Sequence, residues 1–130
     1  MGCHAHEVVR RCLIVDDNVR FLEVARASLE RDGLDVVGTA TTMAEALEKV
    51  EALRPDVVLV DIALGADSGF ELARQLVDRH PGLRARIVLI STRREEDFGD
   101  LILTSPAAGF VWKASLSASA VRDLVAAREA

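Results

Sequence analysis

Residues 55–64 read PDVVLVDIAL: four apolar residues, Val57–Val60, that stop at a carboxylate, Asp61. A strand with one face in water alternates apolar and polar side chains. This run does not alternate, which suits a strand covered on both faces, as in a parallel sheet. Four further runs share its character: Cys12–Val15, Asp35–Thr39, Arg86–Ile90 and Gly109–Trp112. Each is short, and Pro55 and Pro81 punctuate the turns that lead into the third and fourth.

The segments between the runs have helical spacing. Phe21, Leu22, Ala25 and Leu29 share one face of the first, and Met43, Ala46, Leu47 and Val50 one face of the second. Leu72, Ala73, Leu76 and Val77 do so in the third, and Ala120, Val121, Leu124 and Val125 in the last. Thr42 with Glu45, Ser68 with Glu71, and Thr92 with Glu95 have the capping-box spacing that opens a helix. A further helix is expected over 94–103, beginning with RREED and ending before a loop that contains Pro106. Gly33 stands where the first helix needs a left-handed cap.

Strand and helix alternate throughout, so the expected architecture is α/β: a flavodoxin-like, doubly wound five-stranded parallel sheet, (βα)5, with strand order 2-1-3-4-5. In that order the topological switch point lies between the first and third strands, and a ligand should bind beyond their carboxyl ends. At 130 residues the chain is one domain, expected over 11–130 behind a flexible tail of ten residues. Cys3, His4 and His6 in that tail resemble metal ligands, but three donors on a flexible terminus make no rigid site. Cys12 lies inside an apolar run and reads as a small core residue.

Composition narrows the function. Half the residues are hydrophobic and 28% charged, with a formal charge of −5. An acidic balance disfavours nonspecific contact with nucleic acid, which rewards clustered Lys and Arg, although net charge alone leaves a specific DNA contact open. The sequence shows no DNA-binding element after its last helix, so no direct nucleic-acid partner is expected. No apolar run approaches the roughly 20 residues that span a bilayer, and the first residues lack the apolar core of a signal peptide. A cytoplasmic location away from the membrane is therefore expected.

Polar chemistry collects where the switch-point rule places it. The first strand ends in Asp16-Asp17, the third in Asp61, the fourth in Ser91 and the fifth in Lys113. Each alone has an ordinary reading: an Asp or Ser after a strand caps a helix, and a Lys there is solvated. Together they would set three carboxylates, a hydroxyl and an ammonium at one mouth of the sheet. Neighbouring carboxylates repel, and oxygen-only donors select a hard cation such as Mg²⁺, with Mn²⁺ as the alternative. That metal and Lys113 would neutralise the equatorial oxygens of an incoming phosphoryl group, with Asp61 as the in-line nucleophile.

These residues resemble those of the two-component response-regulator receivers. The resemblance rests on LIVDDN at 13–18, PDVVLVDIAL at 55–64, SGFEL at 68–72, RIVLIST at 86–92 and GFVWK at 109–113, and reaches from about residue 11 to the end. It implies a phosphoacceptor at Asp61, supplied by a sensor histidine kinase or a phosphotransfer protein. It implies Mg²⁺ bound by Asp17, Asp61 and the backbone carbonyl of Ala63, with Asp16 acting through water. Lys113 and Ser91 would bind the phosphoryl oxygens. Phe110 would turn inward with Ser91, reshaping the face of the fourth helix, fifth strand and fifth helix for a downstream protein target, with a homodimer left open. Thr92 and Arg93, with Ala63, occupy the variable positions that flank the site.

The sequence departs from the usual pattern at a few places. Gly65 replaces a frequent Pro, and Ala114 follows Lys113 where many members have Pro. A cis bond before Ala would cost about 2.5–4 kcal/mol, so trans is expected. Thr92 is larger than the usual Ala or Gly. Phe110 has the alternative reading of a plain core aromatic, and Trp112 that of packing. A phosphatase of the haloacid-dehalogenase type also uses an Asp nucleophile, but it wants a second Asp two residues on, where Ala63 stands. A docking-only receiver is disfavoured by the intact Asp16, Asp17, Asp61, Ser91 and Lys113. The run KASLSASAVRDLV resembles receivers with a helix-turn-helix output, so a fragment of a transcription factor is the alternative to a stand-alone switch protein.

Overall fold

In the computed structural model, which describes residues 11–129, the apolar runs become five parallel strands. They are β1 (Arg11–Val15), β2 (Asp35–Ala40), β3 (Val57–Asp61), β4 (Ile87–Ser91) and β5 (Gly109–Trp112). Their order in the sheet is β2-β1-β3-β4-β5, as the alternation predicted. The expected tail, with Cys3, His4 and His6, lies outside the described residues. No helix among those described is long and apolar enough to cross a membrane.

Both faces of the sheet are covered, which is why its strands do not alternate. Cys12, Ile14, Val57, Leu59, Val88, Ile90 and Val111 pack on one side, against α1 (Val19–Arg31) and a C-terminal helix. Leu13, Val15, Val58, Val60, Ile87 and Leu89 pack on the other, against α2 (Met43–Leu53) and α3 (Gly69–Arg79). Truncating a fully buried residue such as Leu59 to Ala would cost about 2–5 kcal/mol. Cys12 is a free, buried thiol, and burial pushes its pKa up to about 12, as befits a core residue.

The caps follow local chemistry. Thr42 Oγ1 accepts the Glu45 amide at 3.1 Å, while the Glu45 carboxylate reaches back to the amide of Thr41. Ser68 Oγ caps α3 through the Phe70 amide. After α1, Gly33 has φ +97° and the Leu34 amide bonds the Leu29 carbonyl, a left-handed cap that a β-carbon would strain.

One expected element is absent. Residues 94–103 form a 3₁₀ turn, Glu95–Phe98, followed by successive turns, so the described residues hold four α-helices, the last being α4 (Ala118–Glu129). Thr92 caps nothing there; the Arg94 amide bonds Asp97 Oδ2 instead. Two features defeat the helix. Gly99 takes φ +57° and ψ −129°, a backbone state in practice reserved for glycine. The segment also buries little apolar surface to repay a helix: Ile102 is buried, but Leu101 and Leu103 are 55% and 81% exposed. All described peptide bonds are trans, including the one before Ala114.

Candidate functional site

The carboxyl end of β1 divides its three polar residues among three tasks. The Asp16 amide bonds the Ala40 carbonyl at 2.9 Å, carrying the strand one residue further, and its side chain is fully buried. Asp16 Oδ1 accepts the Asn18 amide at 2.8 Å. Asn18 Oδ1 in turn accepts the Phe21 amide and caps α1. Asn18 therefore does the capping that Asp17 would otherwise do, and Asp17 is left exposed at the mouth.

Asp61 ends β3 beside Asp16 and is 6% exposed. Its Oδ1 accepts the Ala63 amide at 3.2 Å. The chain then folds back in a two-residue antiparallel ribbon, Ala63–Leu64 against Asp67–Ser68. Gly65 closes that ribbon at φ +59°, a conformation closed to proline, which explains the departure from the usual residue. Gly69 brings the backbone home: its amide bonds the Ile62 carbonyl at 2.7 Å. A β-carbon at Gly69 would collide with the Asp61 carbonyl oxygen and lie 2.8 Å from Ile62 Cα. This steric role was not read from the sequence, although Gly69 sits inside the SGFEL motif.

Lys113, after β5, reaches across the mouth. Its Nζ lies 2.5 Å from Asp16 Oδ2 and 3.3 Å from Asp61 Oδ2, with the Phe21 ring 4.4 Å beneath it. One cation therefore serves two buried anions. Burial and the Asp16 charge push the Asp61 pKa up to about 6 against the opposing pull of Lys113.

Asp16, Asp17 and Asp61 each offer an oxygen within 4.8 Å of the others. Asp16 Oδ2 is buried and pairs with the Lys113 ammonium at 2.5 Å, a cation that it shares with Asp61. An all-oxygen donor set of three carboxylates that share one ammonium fits a hard divalent cation.

The remaining expected residues gather on the β4–β5 side. Ser91 ends β4, is 4% exposed, and its Oγ accepts the Arg93 amide at 2.9 Å. Thr92 and Arg93 are exposed beside it. Phe110 is half-buried, its ring 6.0 Å from that of Phe98, which itself lies 6.1 Å from Phe70. Aromatic spacing along the chain does not reveal these contacts of Phe98 and Phe70, because they join distant segments.

The family model for the response regulator receiver domain matches residues 12–125. The chain belongs to that family. Members are phosphorylated by kinases as their general function and bind Mg²⁺ at an acidic pocket. Among similar proteins, the DNA-binding transcriptional activator DevR/DosR of Mycobacterium tuberculosis is 40% identical over 126 residues, 95% of this chain and 52% of that one. The response regulator GacA of Pseudomonas viridiflava is 36% identical over 116 residues, 88% and 53% of the two chains. This receiver thus spans about half the length of those relatives. The signal receiver domain of the putative response regulator NarL from Mycobacterium tuberculosis superposes with a TM-score of 0.74 at 30% identity, covering 92% of this chain and 94% of that one. A Burkholderia pseudomallei response regulator, solved with a phosphorylated aspartic acid and a calcium ion, gives 0.74 at 27% identity, covering 93% and 73%.

Proposed function

We propose that Asp61 is the phosphoacceptor of this receiver, with a sensor histidine kinase or phosphotransfer protein as donor and a downstream protein as target. The observation that supports it best is the placement of Asp61 at the switch point, with Lys113 Nζ shared between it and Asp16. The phosphorylated aspartate of the Burkholderia regulator supports the same assignment. Asp17, Asp61 and the Ala63 carbonyl would hold Mg²⁺, or Mn²⁺ in its place, with Asp16 ligating through water. Bound there, the metal neutralises charge on the phosphoryl oxygens. Asp61 Oδ attacks the phosphorus in line as the donor's oxygen or nitrogen leaves with its electron pair. Lys113 moves from pairing two carboxylates to pairing the phosphoryl oxygens. Ser91 Oγ releases the Arg93 amide and turns to the phosphate, and Phe110 follows inward. The signalling face comprises the connector 93–105, β5 and α4. The protein is a switch that modifies itself and turns over no other substrate.

The test is incubation with Mg²⁺ and a small acyl phosphate, followed by intact mass. A shift of one phosphoryl group in the wild type, absent in Asp61→Asn, is expected. An undiminished shift in Asp61→Asn would refute the assignment.

The identity to DevR/DosR favours a second reading, control of a DNA-binding output. Its test joins residues 11–129 to the output half of that activator. Phosphorylation-dependent binding to the activator's DNA site is expected, and binding indifferent to phosphate would exclude this reading.

A further inference from the structure

Trp112, the sole tryptophan of the chain, grips the segment that follows Ser91. Its indole N–H donates to the Thr92 carbonyl at 3.0 Å, across the β4–β5 boundary. The Arg94 guanidinium lies 4.5 Å over the indole ring, a cation–π contact. Thr92 and Arg94 flank Arg93, whose amide occupies Ser91 Oγ. One contact therefore holds the carbonyl of the very peptide group whose N–H Ser91 must release, and the other holds the next side chain along. Beside them an open groove of about 410 Å³, bounded by Arg94, Phe110, Trp112, Ala120 and Leu124, leaves that side of the segment unpacked.

We propose that Trp112 is a positioning residue that clasps residues 92–94 in the phosphate-free arrangement, so that the clasp opens as Ser91 turns to the phosphoryl group. This rests on Asp61 as phosphoacceptor. As residues 92–94 follow Ser91 toward Asp61, the Thr92 carbonyl draws away from the indole at the end of β5. Phosphate binding therefore works against one hydrogen bond and one cation–π contact, and removing either shifts the population toward the phosphate-ready state before any ligand arrives. A tryptophan that merely packs would act in the opposite sense, because loosening the fold weakens binding.

The test is calorimetric titration of the Mg²⁺-loaded protein with beryllofluoride, a phosphoryl analogue, in wild type, Trp112→Phe and Arg94→Ala. Trp112→Phe removes the N–H and keeps a ring, and should bind about five-fold tighter, the effect of one net hydrogen bond. Arg94→Ala, at an exposed side chain, should bind about two-fold tighter. Its Trp112 emission without ligand should shift part of the way toward that of the wild type with beryllofluoride. Wild-type affinity in both variants, or weaker affinity in both, would overturn the clasp while leaving Asp61 as acceptor. No binding by the wild type, with no mass shift from acyl phosphate, would overturn the phosphoacceptor reading and this inference with it.

Discussion

The ammonium of Lys113 lies 2.5 Å from Asp16, a fully buried carboxylate on a strand almost a hundred residues earlier in the chain. The same ammonium is the nearest cation to Asp61. Removing it leaves two buried anions facing each other, and breaking a buried pair from one side is costly. Lys113→Met should lose about 3 kcal/mol of stability in metal-free urea denaturation. Millimolar Mg²⁺ should restore much of that loss, because the cation replaces the missing charge. An equal loss with and without Mg²⁺ would show that Lys113 acts by packing on Phe21 instead.

Asp61 gives the pH dependence. Its ordinary pKa of 3.8 rises to about 6 in the fold, through burial first and the Asp16 charge second. Below pH 4 the folded and unfolded states both hold the proton, and the group contributes no penalty. As pH climbs from about 4 to 6 the unfolded chain releases it first, so the folded state loses relative stability. Asp61→Asn carries no such charge. In the absence of metal it should be more stable than the wild type at pH 7 by about 1–3 kcal/mol. The gain should fade as pH drops toward 4, in paired denaturation curves. A gain of the same size at pH 4 and pH 7 would contradict the electrostatic origin.

What the sequence made legible was whatever short-range pattern encodes. Val57–Val60 and Arg86–Ile90 announced covered strands because no polar residue breaks them, and the ends of those strands then located Asp61 and Ser91. The connector misleads because RREED has the look of a helix start, while one of the two features that defeat the helix is a backbone angle at Gly99 that no neighbouring residue demands. Asn18, Gly69 and Trp112 escaped for a related reason. Each acts through a contact with backbone: the Phe21 amide, the Asp61 carbonyl and the Thr92 carbonyl. Backbone groups are present at every position, so residue type alone does not say which of them a side chain will meet.

Gly69 offers a steric test of how Asp61 is held. Its φ is ordinary, so alanine there is opposed by contact alone: the new carbon would meet the Asp61 carbonyl and Ile62 Cα. Both are backbone and cannot swing aside. Gly69→Ala should destabilise by about 2–3 kcal/mol, in the range of overpacked cores. It should also slow acyl-phosphate labelling of Asp61, since relief requires moving the strand end that carries it. Gly82, with open space around its α-carbon, is the control; Gly82→Ala should change labelling little.

Metal binding should read directly on stability. A ligand that binds only the folded state stabilises it by RT ln(1 + [L]/Kd), about 2.7 kcal/mol at a hundred times Kd. Titrating Mg²⁺ should therefore raise the denaturation midpoint of the wild type and saturate. Asp17 is exposed and makes no structural bond in the cluster, whereas Asp16 anchors the start of α1. Asp17→Asn should leave metal-free stability almost unchanged and abolish most of the Mg²⁺-dependent increment. Asp16→Asn should lower stability in both conditions, because the Lys113 ion pair is lost. A full Mg²⁺ increment in Asp17→Asn would place the cation somewhere other than the three carboxylates.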